Sequence, residues 1–551
     1  MAATIAVDIG GTFTDVVLEH GARRVTTKTP TTPQAPAAGV MTGLAQVLGE
    51  AGLAAGDVGL VLHGTTLATN AILERKGAVT ALVTTAGFRD VLEIGYETRF
   101  DQYDLMIDKP APLVPRPRRF TVDERIDVTG RVRTPLDEAR VEALVPLLDA
   151  AGVESVAIAY LHAYANPAHE ERTAEILQRR RPDLVLTQAA EVCPEIREYE
   201  RFTTASANAY VKPLMARYLA DLQQRLAAAG LACPVLMMTS GGGLCTLETA
   251  ARLPIRLVES GPAGGAILAG AVAEEMGLGE ALSFDMGGTT AKICLLADYR
   301  PQMAREFEVD RSQRYLKGSG LPLRIPVIEM VEIGAGGGSI AGLDAMGRIR
   351  VGPESTGAEP GPAAYGRGGS EPTVTDADIV LGKVPIERFA GGKVKLAPER
   401  AEQALLDAVG RHLGADAVTA ALGVAEMVDE AMANAARRHT VERGLDAQTH
   451  TLVAFGGAAP LHACRLARKL AIRRVVVPAD AGVGSAVGFL RAPIAFEQVR
   501  SLQLRLAAFD AARVNAAFAA LHEEALAVVR AGAPGSPVEE HRLAYMRYVG
   551  Q

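Results

Sequence analysis

The chain has 551 residues, enough for about three to four domains by the usual relation between length and domain number. Hydrophobic residues make up 48% and charged residues 22% of the sequence, a composition that excludes extensive disorder. The net charge of -7 argues against nucleic acid as the main ligand, because a surface that follows phosphates carries an excess of Lys and Arg.

The five cysteines are far apart and form no CxxC pair, so the sequence predicts neither a disulfide framework nor a zinc site. The N-terminus has no basic and apolar leader, and no later apolar run is long enough to span a bilayer. We therefore expect a cytoplasmic protein that has neither a membrane nor a nucleic acid as a partner.

Strand-like and helix-like patterns alternate along the first 220 residues, which is typical of an α/β fold. The chain opens with two short apolar runs joined by a glycine pair, and these predict a β-hairpin. The predicted elements are strands at 4–9 and 13–18, a helix at 36–48, a strand at 58–62, a helix at 65–75, a strand at 79–84, a helix at 136–148, a strand at 156–161 and a helix at 166–180.

A second pass of the same kind follows, and it contains a Gly/Pro-rich stretch at 352–369 that is typical of a functional loop. The predicted elements are a strand at 235–239, a helix at 264–275, strands at 281–284 and 291–296, helices at 398–413 and 418–438, a strand at 451–455, a helix at 460–470 and a strand at 474–477. After residue 491 we expect a strand-like stretch, a helix at 507–531 and a strand from residue 541. The predicted domains are therefore 1–220, 221–490 and 491–551.

The form D-x-G-G-T occurs twice, from Asp8 to Thr12 and from Asp285 to Thr289, each time between two apolar runs. Glycine lets backbone N–H groups approach an anion, so each turn can cradle a phosphate, with hydroxyl donors that follow it. The cradle residues are Asp8, Gly10, Gly11, Thr12 and Thr14 in the first copy and Asp285, Gly287, Gly288, Thr289 and Thr290 in the second. Asp8 and Asp285 are candidate ligands of Mg²⁺.

One such turn alone is more often a plain hairpin, but two copies indicate an internal duplication whose halves clasp the phosphates of a nucleotide. A third Gly-Gly pair, Gly456 and Gly457, again follows a strand and precedes a helix, which would let backbone pack against a base or ribose. The three motifs in this order resemble those of the actin, Hsp70 and sugar-kinase superfamily. The resemblance implies duplicated actin-like (RNase H-like) α/β domains that form an ATP cleft, followed by a partial C-terminal segment.

A narrower resemblance rests on five further motifs that cover the chain from about residue 4 to 490. They are His63-Gly64-Thr65-Thr66, Glu198 to Arg201 with Asn208 to Val211, Glu259-Ser260-Gly261-Pro262-Ala263-Gly264-Gly265, Ile333 to Ile340, and Gly352-Pro353 with Tyr365-Gly366. Together they are similar to the hydantoinase A/5-oxoprolinase family.

This family resemblance implies an ATP- and Mg²⁺-dependent enzyme that opens a cyclic amide by phosphorylating the amide oxygen. The ring would be a hydantoin, a lactam or a 5-oxoproline-like compound. A sister branch implies an ATP-dependent carboxylase of ketones instead, and the nucleotide motifs do not separate the two. An Hsp70-like or actin-like switch is the third reading, but the segment after residue 491 shows no module for a partner or a polymer.

The resemblance also implies a hetero-oligomer with a second, B-type subunit, since the chain shows only A-type motifs. The last residues resemble the start of a C-terminal region that continues in this family. We expect that region either on a longer form of the chain or on another polypeptide.

The roles of four further features stay open at this level. His63 ends a predicted strand, where it is either a catalytic group facing a cleft or a structural residue. Asp15 either positions Mg²⁺-bound water or is a solvated strand residue. Gly336 and Gly337 belong to an anion-binding loop or a flexible turn. Lys292 either lies on a strand surface or reaches a phosphate.

Overall fold

A computed structural model of the protein describes residues 2–32, 34–97, 99–311, 316–357, 359–392 and 394–549. The strands up to residue 246 are β1 Ala3–Ile9, β2 Phe13–His20, β3 Arg23–Pro30, β4 Val58–Thr65, β5 Thr80–Thr85, β6 Arg119–Val122, β7 Arg125–Ile126, β8 Val132–Thr134, β9 Ser155–Ala159, β10 Val185–Gln188, β11 Val235–Met238 and β12 Leu244–Thr246. The α-helices of the same part are α1 Pro36–Ala51, α2 Leu67–Leu73, α3 Val91–Ile94, α4 Glu138–Ala150, α5 Ala168–Arg180, α6 Ala189–Val192, α7 Glu198–Ala228 and α8 Leu247–Arg252.

The later strands are β13 Glu280–Met286, β14 Ala291–Ala297, β15 Arg300–Pro301, β16 Met303–Ala304, β17 Phe307–Val309, β18 Leu321–Leu323, β19 Val327–Ile328, β20 Met330–Ile333, β21 Ser339–Leu343, β22 Ile349–Ser355, β23 Thr451–Phe455 and β24 Val475–Val476. The later α-helices are α9 Ser260–Glu275, α10 Val374–Val380, α11 Pro398–Leu405, α12 Arg411–Leu413, α13 Ala417–Glu442, α14 Ala459–Lys469, α15 Gly484–Phe489 and α16 Ala511–Gly532. None of the helices formed by the described residues is long and apolar enough to cross a bilayer.

Two large sheets repeat one strand order. In the first sheet the order is β3-β2-β1-β4-β11-β12. In the second sheet it is β15-β14-β13-β23-β24, read in the same direction, with β20 also paired to β14. In the first sheet, β1 is antiparallel to β2 on one side and parallel to β4 on the other. In the second sheet, β13 is in the same way antiparallel to β14 and parallel to β23. The predicted class, a duplicated actin-like α/β fold, is therefore confirmed.

Helices α9 and α15 lie between the two large sheets and share one apolar core with both of them. Ala6 and Leu62 come from the first sheet, Val453 from the second, Ala266 from α9 and Phe489 from α15. Because the inner face of each sheet is apolar, burying both faces on the same helices holds the two halves together.

A smaller parallel sheet of order β10-β9-β5-β6 is inserted between α2 and α7. Helix α7 has 31 residues, and it packs on this sheet through Phe202 and on the first large sheet through Met215 and Tyr218. The helix runs across residue 220, and β11, which follows it, belongs to the first sheet. The division of the chain into domains at residues 220 and 490 stays a prediction.

The segment after residue 491 differs from its prediction. The helix forms, as α16, but residues 491–505 make only a single bridge, between Ile494 and Leu244. The strand predicted from residue 541 is wrong, because residues 541–549 form no strand and pair with none of the described strands.

On the outer side of the second sheet, three helices meet at a buried histidine. The ring of His462, on α14, has Nδ1 2.7 Å from Oδ1 of Asp429 on α13 and Nε2 3.0 Å from Oδ2 of Asp378 on α10. Both nitrogens face carboxylates, so the ring donates from both as an imidazolium. Burial alone would lower the pKa of His462, but the bonds and charges of Asp378 and Asp429 outweigh it and raise this pKa to about 9.

We expect His462→Gln to lower the free energy of unfolding by about 3–5 kcal/mol at pH 6.5, because buried Asp429 loses the cation that it contacts, while Asp378 keeps its ion pair with Lys383. Since the folded pKa lies above the unfolded value, this stabilisation is present below about pH 6.5 and is lost as the pH rises through 9. Urea unfolding at pH 6.5 and 9.5 measures the difference from the wild type. His522→Gln, at a half-exposed site, is the control. An equal difference at both pH values would contradict the assignment.

Candidate active site

The two D-x-G-G-T turns have the same backbone geometry. In the first, the N–H of Gly10 donates to the carbonyl of Phe13 at 2.9 Å. At the equivalent place in the second, the N–H of Gly287 donates to the carbonyl of Thr290 at 3.1 Å. Each turn joins the central strand of its sheet to the next antiparallel strand, so the sequence repeat is also a structural repeat.

The turns face each other across the junction of the two halves. A Cβ atom at Gly288 would lie 3.1 Å from Oγ1 of Thr12. Gly11, Gly288 and Thr289 are exposed, and a Cβ atom at Gly11 would have no contact within 4 Å. The backbone of both turns is thus open to an anion placed between them.

The carboxyl group of Asp8 is buried beside the first turn without a full set of partners. Its Oδ1 has no hydrogen-bond partner among the described residues. Cβ atoms at Gly64 and Gly261 would lie 3.2 Å from Oδ1 and 3.0 Å from Oδ2, so a larger residue at either position would press on the carboxylate. Burial, followed by the charges of Asp15 and Asp285, raises the pKa of Asp8 to about 7.

Asp285 has the equivalent position at the second turn. Burial raises its pKa to about 6, while the charge of Lys292 opposes the rise. Gly456 packs directly on this group with a φ of 95°, and a Cβ atom there would overlap the carboxylate. The next residue, Gly457, is exposed and open, so the third glycine pair adjoins the second turn.

Asp8 and Asp285 fit a hydrated cation that also binds phosphate. The described residues contain no group of three or more His, Cys, Asp or Glu side chains that could hold a metal ion by themselves. Mg²⁺ does not require such a group, since it commonly uses one or two carboxylates and completes its shell with water and phosphate oxygens. The partnerless oxygen of Asp8 is a suitable ligand.

Asp15 and Thr14 lie beside the first turn in different settings. Asp15 pairs with Asp8 across the hairpin, and its Oδ1 is 2.6 Å from Nζ of Lys28. It is therefore ion-paired rather than a solvated strand residue. The hydroxyl of Thr14 is buried and lies 3.3 Å from that of Thr31, so it is turned into the protein.

Gly336 and Gly337 support the second turn with their neighbour Gly338. The N–H of Gly337 donates to the carbonyl of Gly287 at 3.0 Å, and that of Gly338 to Gly288 at 2.6 Å. The N–H of Gly336 donates to the hydroxyl of Ser339. These amides are already used inside the protein, and the loop acts as a brace for the turn.

The structure does not bring His63 to the two turns. Its side chain leaves the first sheet on the face of Val7, opposite to that of Asp8, and it is 1% exposed. Nδ1 lies 3.2 Å from the carbonyl of Val7 and Nε2 lies 2.6 Å from the hydroxyl of Tyr218. Burial lowers the pKa of His63 to about 4, so the ring is a neutral core group.

Sequence reasoning missed Glu259 as a residue of the site. Glu259 directly precedes α9, and its carboxylate contacts the ammonium group of Lys292, which is buried rather than on a strand surface. The motif that contains Glu259 was visible in the sequence. The sequence did not reveal that Glu259 contacts Lys292, which lies 33 residues later on another element.

The chain matches two family models over most of its length. Residues 4–181 match the hydantoinase/oxoprolinase N-terminal region, and residues 201–498 match hydantoinase/oxoprolinase. Caprolactamase subunit alpha of Pseudomonas jessenii is 33% identical over 99% of this chain and 79% of its own length. Acetophenone carboxylase gamma subunit of Aromatoleum aromaticum is 32% identical over 86% of this chain and 66% of its own length.

A solved structure agrees with these sequence matches. The ATP-dependent caprolactamase from Pseudomonas jessenii superimposes with a TM-score of 0.82 at 33% identity, covering 97% of this chain and 77% of that one. The family models and the relatives cover both large sheets and all three glycine motifs of the site. The chain therefore belongs to the hydantoinase/oxoprolinase family.

Proposed function

We propose that the chain is the ATP-binding, A-type subunit of a two-component enzyme that opens a cyclic amide with the cleavage of ATP. The ring is a hydantoin, a lactam or a 5-oxoproline-like compound. The observation that carries the proposal is the pair of open turns, which face each other beside Asp8, whose buried Oδ1 has no hydrogen-bond partner among the described residues. An anion with several charges and a bound cation satisfies both features at once.

Different residues of the site bind different parts of the nucleotide. Backbone N–H groups of the two turns, around Gly11 and Gly288, bind the phosphates. Mg²⁺, held by Asp8 and Asp285 with water, would neutralise charge on these phosphates. The open backbone at Gly457 packs against the base or ribose.

An amide resists hydrolysis because resonance makes its carbonyl carbon a poor electrophile. Transfer of the terminal phosphoryl group of ATP to the amide oxygen, with ADP as the leaving group, gives an imidate-like phosphate and removes this resonance. Water then adds to the carbon, and the C–N bond breaks as the nitrogen takes up a proton, which opens the ring and leaves an acyl phosphate. A second water hydrolyses the acyl phosphate to the carboxylate and inorganic phosphate. The fixed N–H dipoles of the turns stabilise charge as it moves from the oxygens of the transferred group to ADP.

A second, B-type subunit completes this proposal. Two relatives carry the word subunit in their names, which supports a hetero-oligomer. The polar groups of the site described above are those needed for a nucleotide. We therefore infer that the cyclic amide is recognised by surfaces to which the B-type subunit contributes. All five cysteines are free thiols, which fits the cytoplasm, where ATP is available.

The alternative is an ATP-dependent ketone carboxylase subunit, and the similarity to acetophenone carboxylase gamma subunit favours it. The same turns would then serve the activation of bicarbonate, and an enolisable ketone would replace the cyclic amide. The two reactions differ in whether bicarbonate is consumed.

We expect Asp8→Asn and Asp285→Asn each to lower phosphate release by at least about 100-fold, because each removes a charge that holds the cation. Folding should survive, since Asn has the same shape and Oδ1 of Asp8 makes no hydrogen bond that could be lost. Phosphate release and thermal unfolding measure the two effects. Asp221→Asn, on the exposed face of α7, is the control. Wild-type turnover in both site variants would remove the cradle assignment.

With the B-type subunit present, we expect ADP and ring-opened product to form in equal amounts, because one phosphoryl transfer activates one ring. The measurement is phosphate release and product formation with lactams, hydantoins, 5-oxoproline and ketones, each with and without labelled bicarbonate. Ring opening at full rate without nucleotide would contradict the mechanism. Incorporation of the label into an acid would select the carboxylase.

A further inference from the structure

A buried ion pair lies between the two turns, and the proposed function does not use it. Nζ of Lys292 contacts Oε2 of Glu259 and lies 3.8 Å from Oε1 of Glu332. The side chains of Lys292 and Glu259 are 13% and 10% exposed. Ions taken out of water at this level are costly unless they are paired, so removing one partner leaves the other in an unfavourable state.

Glu259 is held in a strained conformation that brings its side chain to this place. Its φ of 63° and ψ of 23° lie in the left-handed region, which costs a residue with a Cβ atom about 1 kcal/mol or more. Two residues later, a Cβ atom at Gly261 would lie 3.0 Å from Oδ2 of Asp8, so this part of the chain runs close to that carboxylate. The strain therefore sits at the start of α9, between the first turn and the second sheet.

Lys292 lies at a position where the two duplicated halves carry different residues. It lies opposite Asp285 on β14, and the equivalent residue opposite Asp8 on β2 is Asp15. Asp15 has a cation of its own in Lys28. Facing residues of antiparallel strands project from the same side of a sheet, so the side chain of Lys292 lies on the side of Asp285.

We propose that Lys292 recognises the terminal phosphate of a bound nucleoside triphosphate, and that Glu259 holds the ammonium group until this phosphate arrives. The inference rests on the proposed nucleotide site. A phosphate oxygen carries more charge than a carboxylate oxygen, and the four-carbon stem of lysine lets the ammonium group move between the two. The pair thus distinguishes a triphosphate from a diphosphate, because the diphosphate has no group to take Lys292 from Glu259.

The test compares two ligands, a non-hydrolysable ATP analogue with an imido link between its last two phosphates and ADP, both with Mg²⁺. Calorimetry on the full chain measures their affinities without relying on turnover. Lys292→Met should weaken binding of the analogue by about 30-fold or more and binding of ADP by less than about 3-fold, since one charge-assisted contact is lost only with the analogue.

A second variant, Glu259→Gln, separates recognition from a structural role. Without the competing carboxylate, Lys292 is free before the ligand binds. The analogue should then bind at least as tightly as it does to the wild type, and up to about 10-fold more tightly. A pair that only stabilised the fold would give weaker binding of both ligands in this variant.

Lys469→Met is the matched control. Lys469 is 12% exposed and pairs with Glu426 and Glu430 at 2.5 and 2.7 Å, away from the turns, so its loss should leave both affinities unchanged. Equal weakening of the analogue and ADP by Lys292→Met, no weakening of the analogue, or weaker analogue binding by Glu259→Gln would each overturn the inference. Failure of the wild type to bind either nucleotide would instead overturn the proposed nucleotide site.

Discussion

The close contact between α9 and α15 sets the distance between the two large sheets. A Cβ atom at Gly488 would overlap the backbone of Gly264, and one at Gly265 would overlap the ring of Phe455. Glycine at these places lets two helices fit in the narrow layer between the sheets. Because the sheets are this close, their central strands end near one another, and Gly288 reaches Thr12.

This packing also explains why carboxylates at the site are buried close to one another. The same layer buries Asp8 near the charges of Asp15 and Asp285, which Lys28 and Lys292 offset in part. Burial is the main cause of the raised pKa values of Asp8 and Asp285, and repulsion from neighbouring carboxylates adds to it. The arrangement costs folding stability, and a bound cation with its phosphates would relieve it.

Much of the architecture could be predicted because it follows from local patterns. The hairpins around both turns, the strand before Gly456 and most helices form where apolar periodicity and glycines placed them. The strand predicted from residue 541 failed, because a strand exists only where another supplies its hydrogen bonds. Residue 220 lies within α7, a helix that connects two sheets and whose continuity a local pattern did not reveal.

Within the site, the backbone geometry of the turns followed from the sequence, whereas the surroundings of the side chains did not. A glycine turn after a strand has the same geometry wherever it occurs, so Gly10 and Gly287 were identifiable from the sequence. The face on which His63 leaves its strand depends on register with β1, and its partner Tyr218 is 155 residues away. The use of the Gly336 and Gly337 amides likewise depends on where the second turn lies.

The sequence by itself determined the two D-x-G-G-T turns, the duplication and the family, because each is carried by short motifs whose residues act through their own backbone. Only the tertiary structure decided that the turns face each other, that Oδ1 of Asp8 has no hydrogen-bond partner among the described residues, and that Glu259 pairs with Lys292. These facts depend on distances between segments far apart in the chain, which are fixed by burying two apolar sheet faces on one pair of helices.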